Sequence, residues 1–199
     1  MEIGLTYGPR RPEFKGDNMK LVKAAMLVCL MAIGSAMAQG YASLEVSEET
    51  KRSTSATNIK EGLVVGSKIG STDFSIKMEN SQTTLGSGSI TQGLEVRVKQ
   101  SFGPVYIGTR LGERISSSSN FSHYALDAGV KIPLVKGLYS DVGGRYRNAF
   151  DSANSYETTR AHATVGYSLT KQDTVAVRWS RTWGDEEKDA WRLQYSRSF

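Results

Sequence analysis

The chain has 199 residues, a formal net charge of +5 at pH 7, two histidines and one cysteine. A positive surplus this small argues against a nucleic-acid-binding protein, and a lone cysteine excludes a disulfide-stapled scaffold. Two histidines and one cysteine offer too few ligands for a recognisable metal site, so neither a metal nor another cofactor is expected.

The first patterned segment, residues 19–38, has the features of a secretory signal peptide. Lys20 and Lys23 precede an apolar core, and the segment ends in an Ala-Met-Ala cleavage site whose last residue is Ala38. The apolar run is shorter than the roughly 20 residues that a transmembrane helix requires. We therefore expect cleavage after Ala38 and secretion across the inner membrane.

Residues 1–18 carry charges and have no apolar pattern, so we interpret them as an over-extended start, with Met19 as the initiator. The mature chain would then be residues 39–199, which is ample for one domain. The single cysteine, Cys29, would leave with the signal peptide.

From Gly40 onward, apolar and polar residues alternate with a period of two, which is typical of strands with one apolar and one polar face. This pattern predicts an all-β protein, a transmembrane antiparallel up-and-down β-barrel of about ten strands, with eight still possible. The predicted strands are residues 40–49, 58–69, 72–80, 89–102, 105–115, 121–132, 137–148, 156–169, 173–183 and 189–199.

The connections between these strands alternate between two kinds. Tight turns are predicted at 70–71, 103–104, 133–136 and 171–172. Longer polar loops are predicted at 53–57, 81–88, 116–119, 151–154 and 184–188. Membrane barrels with short periplasmic turns and longer outer loops show this asymmetry.

Alternation alone does not decide which face is inside, because a soluble lipocalin-like barrel would bury the apolar face. Three features favour a membrane barrel. Glycines cluster on the charged face, where we expect them to leave space for long Arg and Lys side chains. The charges of the apolar face lie near strand ends, where their cost in lipid is low, and its aromatic residues also lie near the ends. The glycines are Gly62, Gly66, Gly93, Gly108, Gly112, Gly129, Gly143 and Gly166; the charges are Glu61, Glu113, Arg181 and Arg197; the aromatic residues are Tyr124, Tyr146, Trp183, Phe102, Tyr167, Tyr195 and Phe199.

The last predicted strand places Trp191, Leu193, Tyr195 and Phe199 on one face and ends on the aromatic residue. A final strand of this kind resembles the C-terminal insertion signal of small bacterial outer-membrane β-barrel proteins, the porin-like family in the broad sense. The resemblance implies a bacterial outer-membrane location, contact with outer-membrane lipid and lipopolysaccharide, and recognition of this strand by the barrel-insertion machinery.

The inward register assigns more basic than acidic residues to the lumen. The eight candidate lining residues are Arg97, Lys99, Arg110, Arg114, Arg145, Arg147, Arg160 and Arg178. The other basic positions are Lys60, Lys68, Lys77, Lys131 and Arg192, and the acidic ones are Glu45, Asp73, Glu79, Glu95, Asp127 and Asp141. Two interpretations stay open: a structural lumen plugged by ion pairs, or a narrow anion-preferring pore for a small anionic solute.

The sequence is also compatible with two further classes of function. A hydrolase could use His123 with Asp127, or Asp141 with His162, but we expect these residues to join the ion pairs of the lumen and expect no enzyme. A surface interaction or adhesion protein would use outward-facing loops such as 116–120 and the acidic 184–189, although loops are also polar simply because they meet water.

Overall fold

The structure, a computed structural model, describes residues 39–83, 90–116 and 119–199, which form ten β-strands. The strands are β1 (Gly40–Lys51), β2 (Thr57–Ile69), β3 (Thr72–Thr83), β4 (Ile90–Phe102), β5 (Val105–Ser116), β6 (Asn120–Val135), β7 (Leu138–Ala149), β8 (Thr158–Ser168), β9 (Asp173–Gly184) and β10 (Lys188–Ser198). All ten predicted strands are present, so ten rather than eight is the correct number. The predicted signal peptide and over-extended start lie outside the described residues.

Each strand pairs antiparallel with its neighbours in sequence, and β1 pairs with β10 to close the barrel. The closing pairs run from Tyr41 opposite Ser198 to Lys51 opposite Lys188. The backbone N–H of Phe199 also donates a hydrogen bond of 2.8 Å to the Gly40 carbonyl. The predicted up-and-down barrel is confirmed. Among the described residues, no helix is long and apolar enough to cross a bilayer.

The distribution of exposure decides which face is inside. In β1, Glu45 and Glu49 are 5 % and 2 % exposed, whereas Leu44 and Val46 are 60 % and 53 % exposed. The same inversion recurs around the barrel, where large aliphatic and aromatic side chains cover the outside. A water-soluble protein would do the opposite, so the lipocalin-like alternative is wrong and the outer surface suits the hydrocarbon of a membrane.

The two ends of the barrel differ in their connections. The turn end carries residues 70–71, 103–104, 136–137 and 169–172, together with the first residue of β1 and the last of β10. Among the described residues, the loop end carries residues 52–56, 119, 150–157 and 185–187. This division follows the predicted alternation of short and long connections.

One predicted turn was misplaced. Strand β6 continues through Pro133 to Val135, with a shift of register between these two residues, and the turn lies at Lys136 and Gly137. Proline has no N–H to donate and is tolerated at such irregularities. Gly137 has a φ of 79°, in the left-handed region that a two-residue hairpin turn needs.

Two of the four charges predicted for the outer face, Arg181 and Arg197, are paired near the strand ends. At the loop end, Arg181 lies 2.7 Å from Asp189. At the turn end, Arg197 lies 3.6 Å from Asp173, and the Tyr195 hydroxyl donates a 2.6 Å hydrogen bond to the same carboxylate. Pairing lowers the cost of placing these groups beside lipid, as the expected position near the interface also does.

Aromatic side chains of the outer face also lie towards the two ends. Near the loop end, Tyr124 packs against Tyr146 and Phe150, with ring centroids 6.4 and 5.3 Å away. Near the turn end, Phe102 is exposed to the outside. The four residues of the candidate insertion signal all point outward: Trp191, Leu193, Tyr195 and Phe199.

Candidate functional site

The candidate site is the lumen, and all eight predicted lining residues point into it. Arg114 and Arg147 line a cavity of about 220 Å³ towards the loop end. A second cavity of about 160 Å³ lies towards the turn end; among its lining residues are Arg97, Lys99, Arg110 and Arg178. Arg145 and Arg160 face each other across β7 and β8. No described residue lines both cavities.

Ion pairs cross the middle of the barrel on one side. Glu95 is 2.9 Å from Arg97 and 3.2 Å from Arg110. Asp127 is 2.5 Å from Arg110 and 2.9 Å from Arg145. Arg110 therefore bridges two carboxylates, and each carboxylate is shared by two guanidinium groups. This layer lies between the two cavities.

A second group of shared ion pairs completes the layer on the opposite side. Glu45 is 2.7 Å from Lys77 and 3.0 Å from Arg192. Glu79 is 2.6 Å from Lys77 and 3.0 Å from Lys60. Cations still outnumber carboxylates among the described lumen residues, and each of these two carboxylates serves two cations. Such pairing is what buried charges require.

Towards the loop end, Glu49 is the most deeply buried carboxylate. It lies 2.9 Å from Lys188, 3.2 Å from Lys60 and 3.5 Å from Arg160. These three cations come from β10, β2 and β8, so Glu49 ties together strands on both sides of the β1–β10 closure. Its side chain is 2 % exposed, and the attraction of three cations compensates for its loss of hydration.

Two connections at the loop end fold side chains back into the lumen. Glu186, from the connection between β9 and β10, lies 3.0 Å from Arg114, 3.3 Å from Arg147 and 2.9 Å from Lys188. Burial raises the pKa of a carboxyl group, but Lys188, Arg147 and Arg114 outweigh this effect. They hold the pKa of Glu186 well below its usual value, so the group is ionised.

Tyr156 enters the lumen from the connection between β7 and β8 and is 6 % exposed. Its ring packs edge-on against Phe121 at 4.7 Å and His123 at 5.3 Å between centroids. The Arg147 guanidinium lies 3.8 Å and that of Arg114 5.5 Å from the ring centroid. Tyr156 therefore supports the two arginines that hold Glu186.

These contacts correct the prediction that the acidic segment 184–189 faces outward. Glu186 and Lys188 turn into the lumen, while Asp189 pairs with Arg181 on the outer face. The reason is that, among the described residues, no strand carboxylate pairs with Arg114 or Arg147, and Glu186 of the loop pairs with both instead. The other predicted interaction loop, 116–120, lies partly outside the described residues.

Towards the turn end, hydroxyl groups replace cations as the partners of carboxylates. Tyr106 donates a 2.9 Å hydrogen bond to Asp141, and His162 Nε2 lies 3.1 Å from the same oxygen. Tyr41 donates a 2.8 Å hydrogen bond to Asp73. Neutral phenols satisfy these carboxylates without adding charge.

The lumen glycines mainly accommodate rings rather than long cations, which corrects the expectation from the sequence. A Cβ on Gly66 or Gly129 would lie within 2.6 Å of the Tyr41 or Tyr106 ring system. A Cβ on Gly112 would lie 2.6 Å from the His123 ring. A glycine in a strand predicts only that there is space beside it. The side chain that fills this space comes from another strand and cannot be predicted from the glycine.

Three lysines lie at the turn end in a looser arrangement. Lys99 is 3.8 Å from Asp73 with its side chain 43 % exposed. Lys131 lies 3.9 Å from the centroid of the Tyr139 ring, and both Lys131 and Lys68 are exposed. These cations face water at the rim of the lumen.

The residues considered for hydrolysis belong to the ion-pair network. His123 does not pair with Asp127: its nearest charged group is Glu95 at 3.6 Å, whereas Asp127 binds Arg110 and Arg145. Asp141 and His162 do meet, in the cluster with Tyr106. Among the described residues, no group of three or more His, Cys, Asp or Glu side chains could hold a metal ion.

Four residues of the loop half were missed in the sequence. Glu49 lies within the predicted strand 40–49 and Lys188 directly before the last predicted strand, and both share the inward parity of Glu45 and Arg192, so applying the period of two to these positions would have found them. Tyr156 has the parity of Arg160 on the neighbouring strand, although it lies in a loop. Glu186 carries no such signal.

The sequence matches no family model and no curated protein. Among solved structures, the NanC porin aligns with a TM-score of 0.47 and 10 % identity over 78 % of this chain and all of that one. The KdgM porin, solved in complex with disordered oligogalacturonate, gives a TM-score of 0.45 and 13 % identity over 79 % and 99 %. Neisserial surface protein A gives 0.44 and 12 % over 81 % and 96 %.

The chain is thus structurally similar to small bacterial outer-membrane β-barrels. Its own strand pairing and faces carry the assignment as a membrane barrel: ten antiparallel strands close on themselves, with an apolar exterior and a charged lumen. A closed barrel of this kind satisfies every backbone group within the sheet, which lipid requires.

Proposed function

We propose that this outer-membrane barrel is a narrow, porin-like channel that prefers small anions. The observation that supports the proposal is the excess of cations over carboxylates in the lumen, around both cavities. An uncompensated positive field inside low-dielectric walls concentrates anions and repels cations. Secretion with cleavage after Ala38 and insertion through the C-terminal strand belong to the same proposal.

The route follows the cationic residues from one cavity to the other. An anion in the loop-end cavity meets Arg114 and Arg147, and one in the other cavity meets Arg97 and Arg178. Between them lies the layer of shared ion pairs. Since each carboxylate there has two cationic partners, a guanidinium can turn from a carboxylate to a passing anion while the carboxylate keeps its second partner. Conductance should be low, because ten strands leave little open interior.

Single-channel recording tests this function. The mature chain, refolded in detergent and added to a planar bilayer under a salt gradient, should give small discrete steps with a reversal potential of the sign for anions. Well-folded protein, judged by its faster gel migration before boiling than after, that stays electrically silent would refute the channel. It would favour the alternative of a structural barrel plugged by ion pairs.

Reversing two lumen charges should change the selectivity. In the variant Arg145→Glu plus Arg147→Glu, we expect anion preference to fall or to invert, because two positive charges become negative inside the lumen. A matched control is Lys136→Glu plus Lys171→Glu, which makes the same change of net charge at exposed turn residues. Unchanged selectivity in the lumen variant, or an equal shift in the control, would contradict the cationic route.

A further inference from the structure

The cavity at the loop end contains a built cationic site. Arg114, Arg147 and Lys188 converge on the single carboxylate of Glu186. Arg114 contacts Oε1, while Arg147 and Lys188 contact Oε2, so both oxygens are bound. A carboxylate held at both oxygens by two guanidinium groups and an ammonium group is a recognition geometry as well as an ion pair.

The three cations of this site and the carboxylate that they bind are anchored in different ways. Arg114, Arg147 and Lys188 belong to β5, β7 and β10, three strands of the closed sheet. Glu186 belongs to the three-residue connection 185–187. The cations are therefore fixed by the barrel, whereas the carboxylate is delivered by a short loop. A separate molecule with the same group could take its place without rearranging the sheet.

The same cavity contains buried polar atoms that Glu186 does not satisfy. Arg147 Nε and His123 Nδ1 have no hydrogen-bond partner among the residues that the structure describes, and His123 Nε2 has only Glu95 Oε1 nearby, at 3.6 Å. These residues are 8 % and 3 % exposed, and both line the cavity. Buried polar atoms normally find partners. These incompletely paired polar atoms indicate that the site accommodates a ligand with more polar atoms than one side-chain carboxylate.

One wall of the cavity has a different chemistry. The Arg147 guanidinium lies over the Tyr156 ring, 3.8 Å from its centroid, and the ring also packs against Phe121. This wall offers an apolar surface beside the cations. A ligand with a charged end and a small carbon skeleton fits such a combination better than a bare inorganic ion does.

We infer that the loop-end cavity is a binding site for a small monocarboxylate solute, and that Glu186 occupies this site when the solute is absent. The solute carboxylate replaces that of Glu186 between Arg114, Arg147 and Lys188, and its remaining polar atoms reach His123. Binding stands on the geometry alone; the onward passage of the solute through the lumen rests on the proposed channel function.

Chemical rescue tests the site in the complete mature chain. Glu186→Ala removes the internal carboxylate and leaves three cations with a shared vacancy. The temperature at which the fast-migrating folded band disappears should fall by several degrees. Sodium acetate should restore it, whereas sodium chloride at the same ionic strength should restore it less. Calorimetric titration should detect acetate binding to Glu186→Ala that is at least about tenfold tighter than to the unaltered chain.

The control is Glu187→Ala on the same loop. Glu187 is 55 % exposed and its nearest cation, Arg52, is 4.0 Å away, so this variant should show neither the fall nor the rescue. If Glu186→Ala does not fold, Glu186→Gln keeps the shape of the side chain and removes only its negative charge, so it should still bind acetate more tightly than the unaltered chain does.

Equal effects of acetate and chloride on Glu186→Ala, or acetate binding that survives the further change Arg147→Gln undiminished, would overturn the site. The test does not depend on conduction. Rescue by acetate in a barrel that is silent in the bilayer would leave the carboxylate site standing and remove only the channel.

Discussion

The two halves of the lumen hold charge in different ways. In the loop half, Glu49 and Glu186 each contact three cations and are largely excluded from water. In the turn half, Asp73 and Asp141 bind phenols, a histidine or more distant cations. The lysines of the turn end reach water at the rim.

The difference shows how hydration decides the partners of a charge. A carboxylate removed from water is stabilised only by several close charges, and loss of that balance is costly. A carboxylate near the rim keeps part of its hydration and needs only hydrogen bonds. The stability of the loop half should therefore depend mainly on its ion pairs, and that of the turn half should depend more on packing. The following substitutions test that contrast, from the largest expected effect to the smallest.

Neutralising Glu49 should cost the most. Glu49→Gln leaves Lys60, Arg160 and Lys188 facing one another without their common anion, and we expect a loss of about 3–5 kcal/mol in the free energy of unfolding. Urea unfolding of the refolded barrel in detergent measures it. Glu48→Gln is the matched control, because the neighbouring side chain is exposed on the outer face. A loss below about 1 kcal/mol for Glu49→Gln would show that the stability of the loop half does not depend on its ion pairs.

Crowding a glycine should test packing in the turn half. A Cβ on Gly143 would lie 2.6 Å from the Ala128 carbonyl and 2.8 Å from both His162 and the Tyr106 hydroxyl. Backbone cannot yield as a flexible side chain can, so Gly143→Ala should destabilise the barrel by about 1–3 kcal/mol. The measurement is again urea unfolding. Gly93→Ala, whose added Cβ would meet nothing closer than 3.8 Å, should change stability little; equal effects of the two would remove the packing argument.

The contribution of Glu186 to the stability of the barrel should be lost at low pH. Its pKa is lowered in the folded barrel, so its stabilisation is present in full above the unfolded carboxyl pKa of about 4.3 and is lost as the pH falls below that value. The free energy of unfolding of the unaltered chain should exceed that of Glu186→Gln by about 1.5 kcal/mol from pH 5 to 8. This difference should shrink below about pH 4.

Unfolding curves of the two proteins at a series of pH values measure this gap. Glu187→Gln, changed at the exposed neighbour, should follow the unaltered chain throughout. A gap that closes already between pH 7 and 5 would mean that the carboxyl of Glu186 is not held ionised by its three cations.

Much of this architecture is predictable from parity. A period of two places Leu44 and Glu45 on opposite faces with no knowledge of the partner strand. The charges and aromatic residues near the strand ends then indicate which face meets lipid, so the eight lining residues could be assigned from the sequence. Strand ends are weaker, as Pro133 shows, because a proline can break a ladder or sit at an irregularity within it.

The sharing of charges is not predictable in the same way. Arg145 and Arg147 are neighbours on one strand face, yet Arg145 pairs with Asp127 and Arg147 with Glu186. Which carboxylate reaches which cation depends on barrel curvature and stagger. Glu186 lies in a loop, where no period constrains the side chain, and its partner Arg114 is distant in the chain.

The pairing of β1 with β10 closes the sheet into a ring, so the ends of the chain could lie at another connection without changing the strand order around the barrel. Phe199 meets Gly40 at the turn end, and the contacts of Glu45 with Arg192 and of Glu49 with Lys188 cross the same closure. A short linker joining residue 199 to residue 40 would let the chain be cut at residues 52–56 instead. That circular permutant would keep all ten strand pairings and both of these ion pairs, since each lies between strands that remain neighbours.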